Sequence, residues 1–332
     1  MIKKGIINNK EVEYDDNVFE LITKLPDGTF IDACLHYIGD GSKPVHNPKG
    51  NTWCCFMFYE FSGSHLDLSE FDTKYVTCFD CMFMYSSVEN LDLSNFDTSN
   101  VDFMGSMFFA CDHLTTLNIS SFDTSNVRYM DFMFSECSSL TSLNLSHFNT
   151  DNVEHMECMF DGCSTLKKLD LSSFNFNSVK EIHEMFAGCK QLEYIKMPEN
   201  STIACDDIYG FFEDCESLES LDLHNFDTYD TNDMSGMFYN CKRIKELDLS
   251  NFHNRSSVQT ALMFAGCDSL ESLDIRNLNL NKINTYDMFG TCACKNIYPL
   301  SILEKVEEQI SSLNEECARS FIEYVFNNYL DC

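Results

Sequence analysis

The stretch FDTSNVDFMGSMFFACDHLTTLNIS, Phe96 to Ser120, is written again almost at once as FDTSNVRYMDFMFSECSSLTSLNLS, Phe122 to Ser146. Phenylalanine, Asp-Thr-Ser-Asn-Val, methionine, Met-Phe, cysteine and leucines return in the same order. The Met-Phe pair marks the register. It falls at Met57, Met82, Met107, Met133, Met159, Met185, Met237, Met263 and Met288, and Phe211-Phe212 fills the one gap. Cysteine follows four residues after the marker at Cys111, Cys137, Cys163, Cys189, Cys215, Cys241, Cys267 and Cys292. A step of 25 or 26 residues kept over ten markers is the signature of a repeat array.

Each repeat has a physical reading. LTTLNIS and LKKLDLS alternate apolar and polar residues, which predicts a short strand with Leu91 and Leu93 inward and Asp92 outward. FDTSN then turns the chain, because Asp, Thr, Ser and Asn bond to their own neighbouring backbone. Val101, Met104, Met107, Phe108, Cys111 and Leu114 follow at helical spacing, with Ser99 or Asn100 as N-cap. The expected coil is strand, turn, short helix or 3-10 turn, and return. Stacking would cover the apolar face that one coil leaves open.

The motif MFxxCxxLxxLDLSxFDTSNVxxM resembles the repeat of the BspA-type leucine-rich-repeat surface proteins, in the branch first noted in mycoplasmas. The match runs from about Thr52 to Cys292. The resemblance implies a leucine-rich-repeat-like solenoid, often on microbial cell surfaces, that binds proteins or mediates adhesion, with no shared catalytic motif. Ile195 to Phe212 departs from the pattern, placing Asn200 in the Phe slot and adding Pro198.

The expected fold class is therefore a repeat solenoid of about nine to ten coils with helical caps. Residues 1–51 form the N-terminal cap, 52–294 the solenoid and 295–332 a helical C-terminal cap. In the first cap, DDNVFELITKLPDG reads as a helix with Val18, Phe19, Ile22 and Leu25 on its apolar stripe and Pro-Asp-Gly at its end. In the last, Leu303, Val306, Ile310 and Leu313 share one face, and Phe321, Ile322, Val325, Phe326 and Tyr329 share a second. The caps are lids or, for the C-terminal helices, a docking face for a partner.

The chain has 332 residues and a formal charge of −31, from 53 acidic and 22 basic side chains. A polyanion repels phosphate, so nucleic acid is a poor partner and anionic membrane surfaces are disfavoured. Solubility accounts for the charge, or else a basic partner or bound cations do. No apolar run is long enough to span a membrane. The N-terminus, MIKKGIINNKEVEYDD, has no signal-peptide core. The resemblance points to the cell surface or secretion, and the missing signal points either to the cytoplasm or to a mature or trimmed chain.

Eighteen cysteines allow three readings. Cys54-Cys55, Cys78 with Cys81, and Cys292 with Cys294 are isolated pairs without a second half, so a zinc site is disfavoured. Neighbouring coils stack closely enough for disulfides. The repeated slot, however, lies beside Met and Phe, where a reduced cysteine fills a core as a small hydrophobe. No phosphate loop, metalloprotease motif or nucleophile elbow occurs, and the nine histidines form no column. The chain reads as a non-enzyme without a cofactor.

The outward strand position forms a column: Asp67, Asp92, Asn118, Asn144, Asp170, Lys196, Asp222, Asp248 and Asp274. Like charges facing across a sheet repel. Hydrogen bonds from Ser or Asn, Lys196, a bound cation or plain solvation would offset that. Either each Asp bonds the turn beside it, or Asp92, Asn118, Asn144, Asp170, Lys196, Asp222, Asp248 and Asp274 make a partner-binding face. A threonine column, Thr73, Thr98, Thr124, Thr150 and Thr228, breaks at Phe176 and Arg255, which favours turn chemistry over ordering of water. The function expected is protein binding through the repeat face, in surface adhesion or recognition of a host or partner protein. An intracellular scaffold or effector is the alternative. An enzyme housed in a cap has no motif behind it.

Overall fold

The computed structural model describes residues 1–279, 283–284, 286–292 and 296–298. The chain divides into two compact units, Met1–Leu166 and Lys167–Cys332.

The first unit opens with two hairpins. Strands β1 (Ile2–Ile7) and β2 (Lys10–Asp15) pair antiparallel, with Asn8 and Asn9 in left-handed conformations at φ 43° and 62°. Asparagine tolerates that region, and two such residues suit a two-residue hairpin turn. Strands β3 (Phe19–Lys24) and β4 (Phe30–Tyr37) pair next. Here the expected N-terminal helix fails. Pro-Asp-Gly, read as its stop, is equally the core of a β-turn. Gly28 sits at φ 97°, its N–H bonds Leu25 O, and the Asp27 carboxylate accepts the Thr29 N–H.

The apolar run expected to be helical is a ribbon of turns. Met104, Ser106, Phe108 and Ala110 send their N–H groups to Tyr129, Asp131, Met133 and Ser135 of the next repeat, at 2.7 to 3.0 Å. The alternate residues Met107, Phe109 and Cys111 bond back within their own repeat, to Met104, Ser106 and Phe108. A helix would keep all these bonds to itself. The break comes from left-handed residues at two slots. Phe56, Cys81, Ser106 and Phe132, just before the Met slot, lie at φ 52 to 55°, and Glu60, Tyr85, Ala110 and Glu136, three after it, at 51 to 61°. In the second unit Gly210 and Gly236 fill the first slot and Gly188 and Gly266 the second, all at positive φ.

Stacked rings make the core. Phe58, Phe83, Phe108, Phe134 and Phe160 follow one another at centroid distances of 5.2 to 5.7 Å, within 9° of parallel. In the second unit Phe212, Phe238, Phe264 and Phe289 stack at 5.4 to 5.9 Å, within 21° of parallel. Such pairs contribute about 0.5–1.5 kcal/mol each beyond the area they bury.

The remaining strands are two or three residues long. Asn90–Asp92 (β5) pairs with Thr116–Asn118 (β6), Lys168–Asp170 (β7) with Tyr194–Lys196 (β8), and Val258–Gln259 (β10) with Ile283–Asn284 (β12). Ser272–Asp274 (β11) lies between Glu246–Asp248 (β9) and Asn296–Tyr298 (β13). All these pairings are parallel. The expected fold class, a leucine-rich-repeat-like solenoid with a helix or 3-10 segment per coil and a helical cap at each end, is thus overturned. The described residues contain no helix, and their sheets are open pieces of two or three strands. Apart from β13, the expected C-terminal helical cap lies outside the described residues.

Candidate functional site

The strand column is a recurring exposed feature on which the repeats set chemistry-bearing side chains. Its local cause is alternation. In β5, β7, β8 and β9 the middle residue is buried and both neighbours are exposed. Leu91, Leu169, Ile195 and Leu247 hold the backbone down, so Asp92, Asp170, Lys196 and Asp248 face out. Asn118, Asn144 and Asp222 are also exposed, and Asp274 is half-buried.

Every acid and amide of the column also caps its own turn. Asp92, Asn118, Asn144, Asp170, Asp222, Asp248 and Asp274 each accept, through Oδ1, the N–H two residues on, at 2.9 to 3.3 Å. Ser hydroxyls and that backbone N–H hold the Asp92 and Asp170 carboxyls below the usual range; for Asp222 and Asp274 the leading partners are His224 and Arg276.

The repulsion along the column is offset locally. In the first unit, Asn118 Nδ2 donates to Asp92 at 2.9 Å. In the second, Lys196 Nζ lies 3.7 Å from Asp170 across the β7–β8 pair, and His224 Nδ1 lies 2.7 Å from Asp222. Asp248 and Asp274 face each other in register, with Arg276 bound to Asp274. These donors do for the column what a bound cation would otherwise have to do.

In the first unit the column borders a groove of about 510 Å³, lined among others by His65, Asp67, Asn90, Asp92, Thr116 and Asn118. Asn90 and Thr116 share the face with Asp92 and Asn118, as the two-residue strand period requires. The Thr116 hydroxyl donates to Asn90 Oδ1 at 2.5 Å. These two positions were readable from that period but vary in type, so no column shows. In the second unit a depression of about 320 Å³ brings Lys196 beside Glu199 and Asn200.

The repeated threonines, the asparagines after Ser99 and its equivalents, and the slot cysteines bond between repeats. Thr98 and Thr124 are 1% exposed, and each accepts the N–H and donates to the C=O of one residue in the next repeat, Asp123 and Asn149, at 2.7 to 2.8 Å. Asn100, Asn126 and Asn152 donate to Lys74, Ser99 and Ser125 carbonyls of the preceding repeat. The cysteines do likewise. Cys111, Cys137 and Cys163 donate to Phe83, Phe108 and Phe134 carbonyls at 3.0 to 3.2 Å. Burial pushes the Cys111 thiol up to about 12. No helix among the described residues is long and apolar enough to cross a membrane.

A family model described as "Mycoplasma protein of unknown function, DUF285" matches residues 52–143, 116–196 and 206–298. No curated protein matches the chain. Among solved structures, a leucine-rich repeat protein from Bacteroides ovatus is similar at 15% identity and a TM-score of 0.36, over 87% of this chain and 89% of that one. A leucine rich cell surface protein from Faecalibacterium prausnitzii is similar at 14% identity and a TM-score of 0.39, over 84% of this chain and 80% of that one.

Proposed function

Because the chain belongs to the DUF285 family of Mycoplasma repeat proteins, we propose that it is a non-enzymatic protein-binding module that meets its ligand, a protein with a basic surface, through the exposed strand positions of each unit. The binding residues are Asp92, Asn118, Asn144, Asp170, Lys196, Asp222, Asp248 and Asp274. One observation carries the reading: Asp92, Asp170, Asp222 and Asp248 are exposed and Asp274 half-buried, yet each is held by the N–H two residues on. A carboxylate already fixed in place loses little side-chain freedom when it meets a cation. Changing the residues beside it alters specificity without disturbing the turn. The formal charge of −31 steers basic partners toward the chain.

Residues 52–294 are the binding module in this reading, and residues 1–51 close its first repeat. Tyr37 packs on Phe58 at 5.4 Å and its N–H bonds Met57 O.

Affinity capture with the whole chain as bait tests the proposal. One arm uses extracellular matrix and serum proteins and the other cytosolic extract, each eluted by a salt gradient. Saturable capture of a basic protein, released by salt, is expected. Capture that salt leaves untouched, or none in either arm, overturns the strand-face reading.

A further inference from the structure

The cysteines Cys54, Cys55, Cys78 and Cys81 stand outside the repeated thiol slot. The backbone brings two of them together. Trp53 bridges Cys78 in parallel register, and the Cys54 N–H bonds Cys78 O at 3.0 Å. The Cys55 and Cys78 side chains turn toward each other, and their sulfurs stand 2.8 Å apart. Non-bonded heavy atoms rest about 3.5–4.0 Å apart. Two thiolates on one zinc ion, with bonds of about 2.3 Å at the tetrahedral angle, would sit ~3.8 Å apart. The observed spacing is therefore too short for a shared metal and about 0.8 Å from the ~2.05 Å of a covalent bond.

We propose that Cys55 and Cys78 form a disulfide that staples the first two repeats together when the chain folds in the presence of a small-molecule disulfide. One protein thiolate attacks a sulfur of oxidised glutathione and releases one glutathione thiol. The second protein thiolate then displaces the remaining glutathione. Two protein thiols are oxidised, one glutathione disulfide is reduced to two thiols, and the protein loses two hydrogens. Both sulfurs are buried, at 4% and 1% exposure, so exchange is slow once the repeats have stacked and the bond closes during folding. Cys111, Cys137, Cys163, Cys215, Cys241 and Cys267 each spend their S–H on a phenylalanine carbonyl.

The test refolds the full chain in a glutathione redox buffer, alkylates it under denaturing conditions and maps the peptides. A Cys55–Cys78 linked peptide is expected, lost on reduction, with the six repeated cysteines alkylated. Cys54→Ser keeps the link and Cys55→Ser abolishes it. Adding reductant lowers the melting temperature of the wild-type chain but not that of Cys55→Ser. Full alkylation of both residues, or links scattered among the repeated cysteines, overturns the proposal. So does protection from alkylation that a chelator removes and a reductant does not.

Discussion

Replacing Thr124 with valine tests whether the buried threonines hold one repeat to the next. The side chain is 1% exposed, and its hydroxyl accepts the Asn149 N–H and donates to the Asn149 C=O, both at 2.8 Å. Valine keeps the shape and removes both bonds. A net hydrogen bond contributes about 1 kcal/mol, and a buried group left unpaired costs about 1–3 kcal/mol. Asn149 is an exposed residue, so water recovers part of the loss, and about 2–3 kcal/mol is expected. Thr124→Ser keeps both bonds and gives up a methyl group, a loss of about 1 kcal/mol. Valine should therefore be the worse substitution, the reverse of its hydrophobic rank. Urea unfolding gives the order through the midpoint at unchanged slope. Hydrogen exchange gives it locally, because only the valine variant exposes the Asn149 amide. A valine variant as stable as the serine one, with that amide still protected, would refute the reasoning.

Other outcomes follow from the same geometry. Burial, and then the neighbouring Asp131 charge, raise the Asp80 carboxyl from its usual 3.8 to about 6. A raised acid stabilises the fold while protonated, so that stability is complete below about pH 4 and is lost as pH rises through 6. Asp80→Asn should gain up to about 3 kcal/mol at pH 8 and nothing at pH 4, and a denaturation series across pH that shows a constant difference would rule this out. Ser106 lies at φ 52°, in a slot that Gly210 and Gly236 fill elsewhere. Ser106→Gly should cost nothing or stabilise by about 0.5–1 kcal/mol, and a lowered melting temperature would contradict the left-handed slot.

The repeat and its strand were legible because period two leaves little choice: Leu91 and Leu93 are buried and Asp92 is exposed. The bland half of the cysteine reading also stands for the repeated slot, since Cys111, Cys137 and Cys163 are buried thiols. Their bonds to the preceding repeat were not legible, because spacing tells that a residue is buried and not what its polar atom meets. The turn ribbon was missed for a similar reason. Val101, Met104, Met107, Phe108 and Cys111 recur at a spacing that suits both a helix face and a train of turns. What separates the two is the left-handed residue, and in the first unit the slot just before the marker holds Phe56, Cys81, Ser106 or Phe132 rather than glycine. The signal lay in the second unit, where Gly210 and Gly236 share the slot just before the marker pair. At the N-terminus, Pro26-Asp27-Gly28 ends a helix or turns a hairpin, and only the pairing of β3 with β4 decides between them. The column residues were found by period. Their turn bonds explain why Asp, Asn and Ser recur together there.

The most direct test of the strand face is the affinity of the captured protein for the wild-type chain and for Asp222→Asn/Asp248→Asn/Asp274→Asn. Asparagine keeps the Oδ1 that accepts the N–H two residues on, so the turns survive and only charge is removed. Exposed ion pairs contribute about 0.2–1 kcal/mol each, and the three together predict roughly tenfold weaker binding at physiological salt with an unchanged melting temperature. Equal affinity in the two chains would remove this face from the binding site.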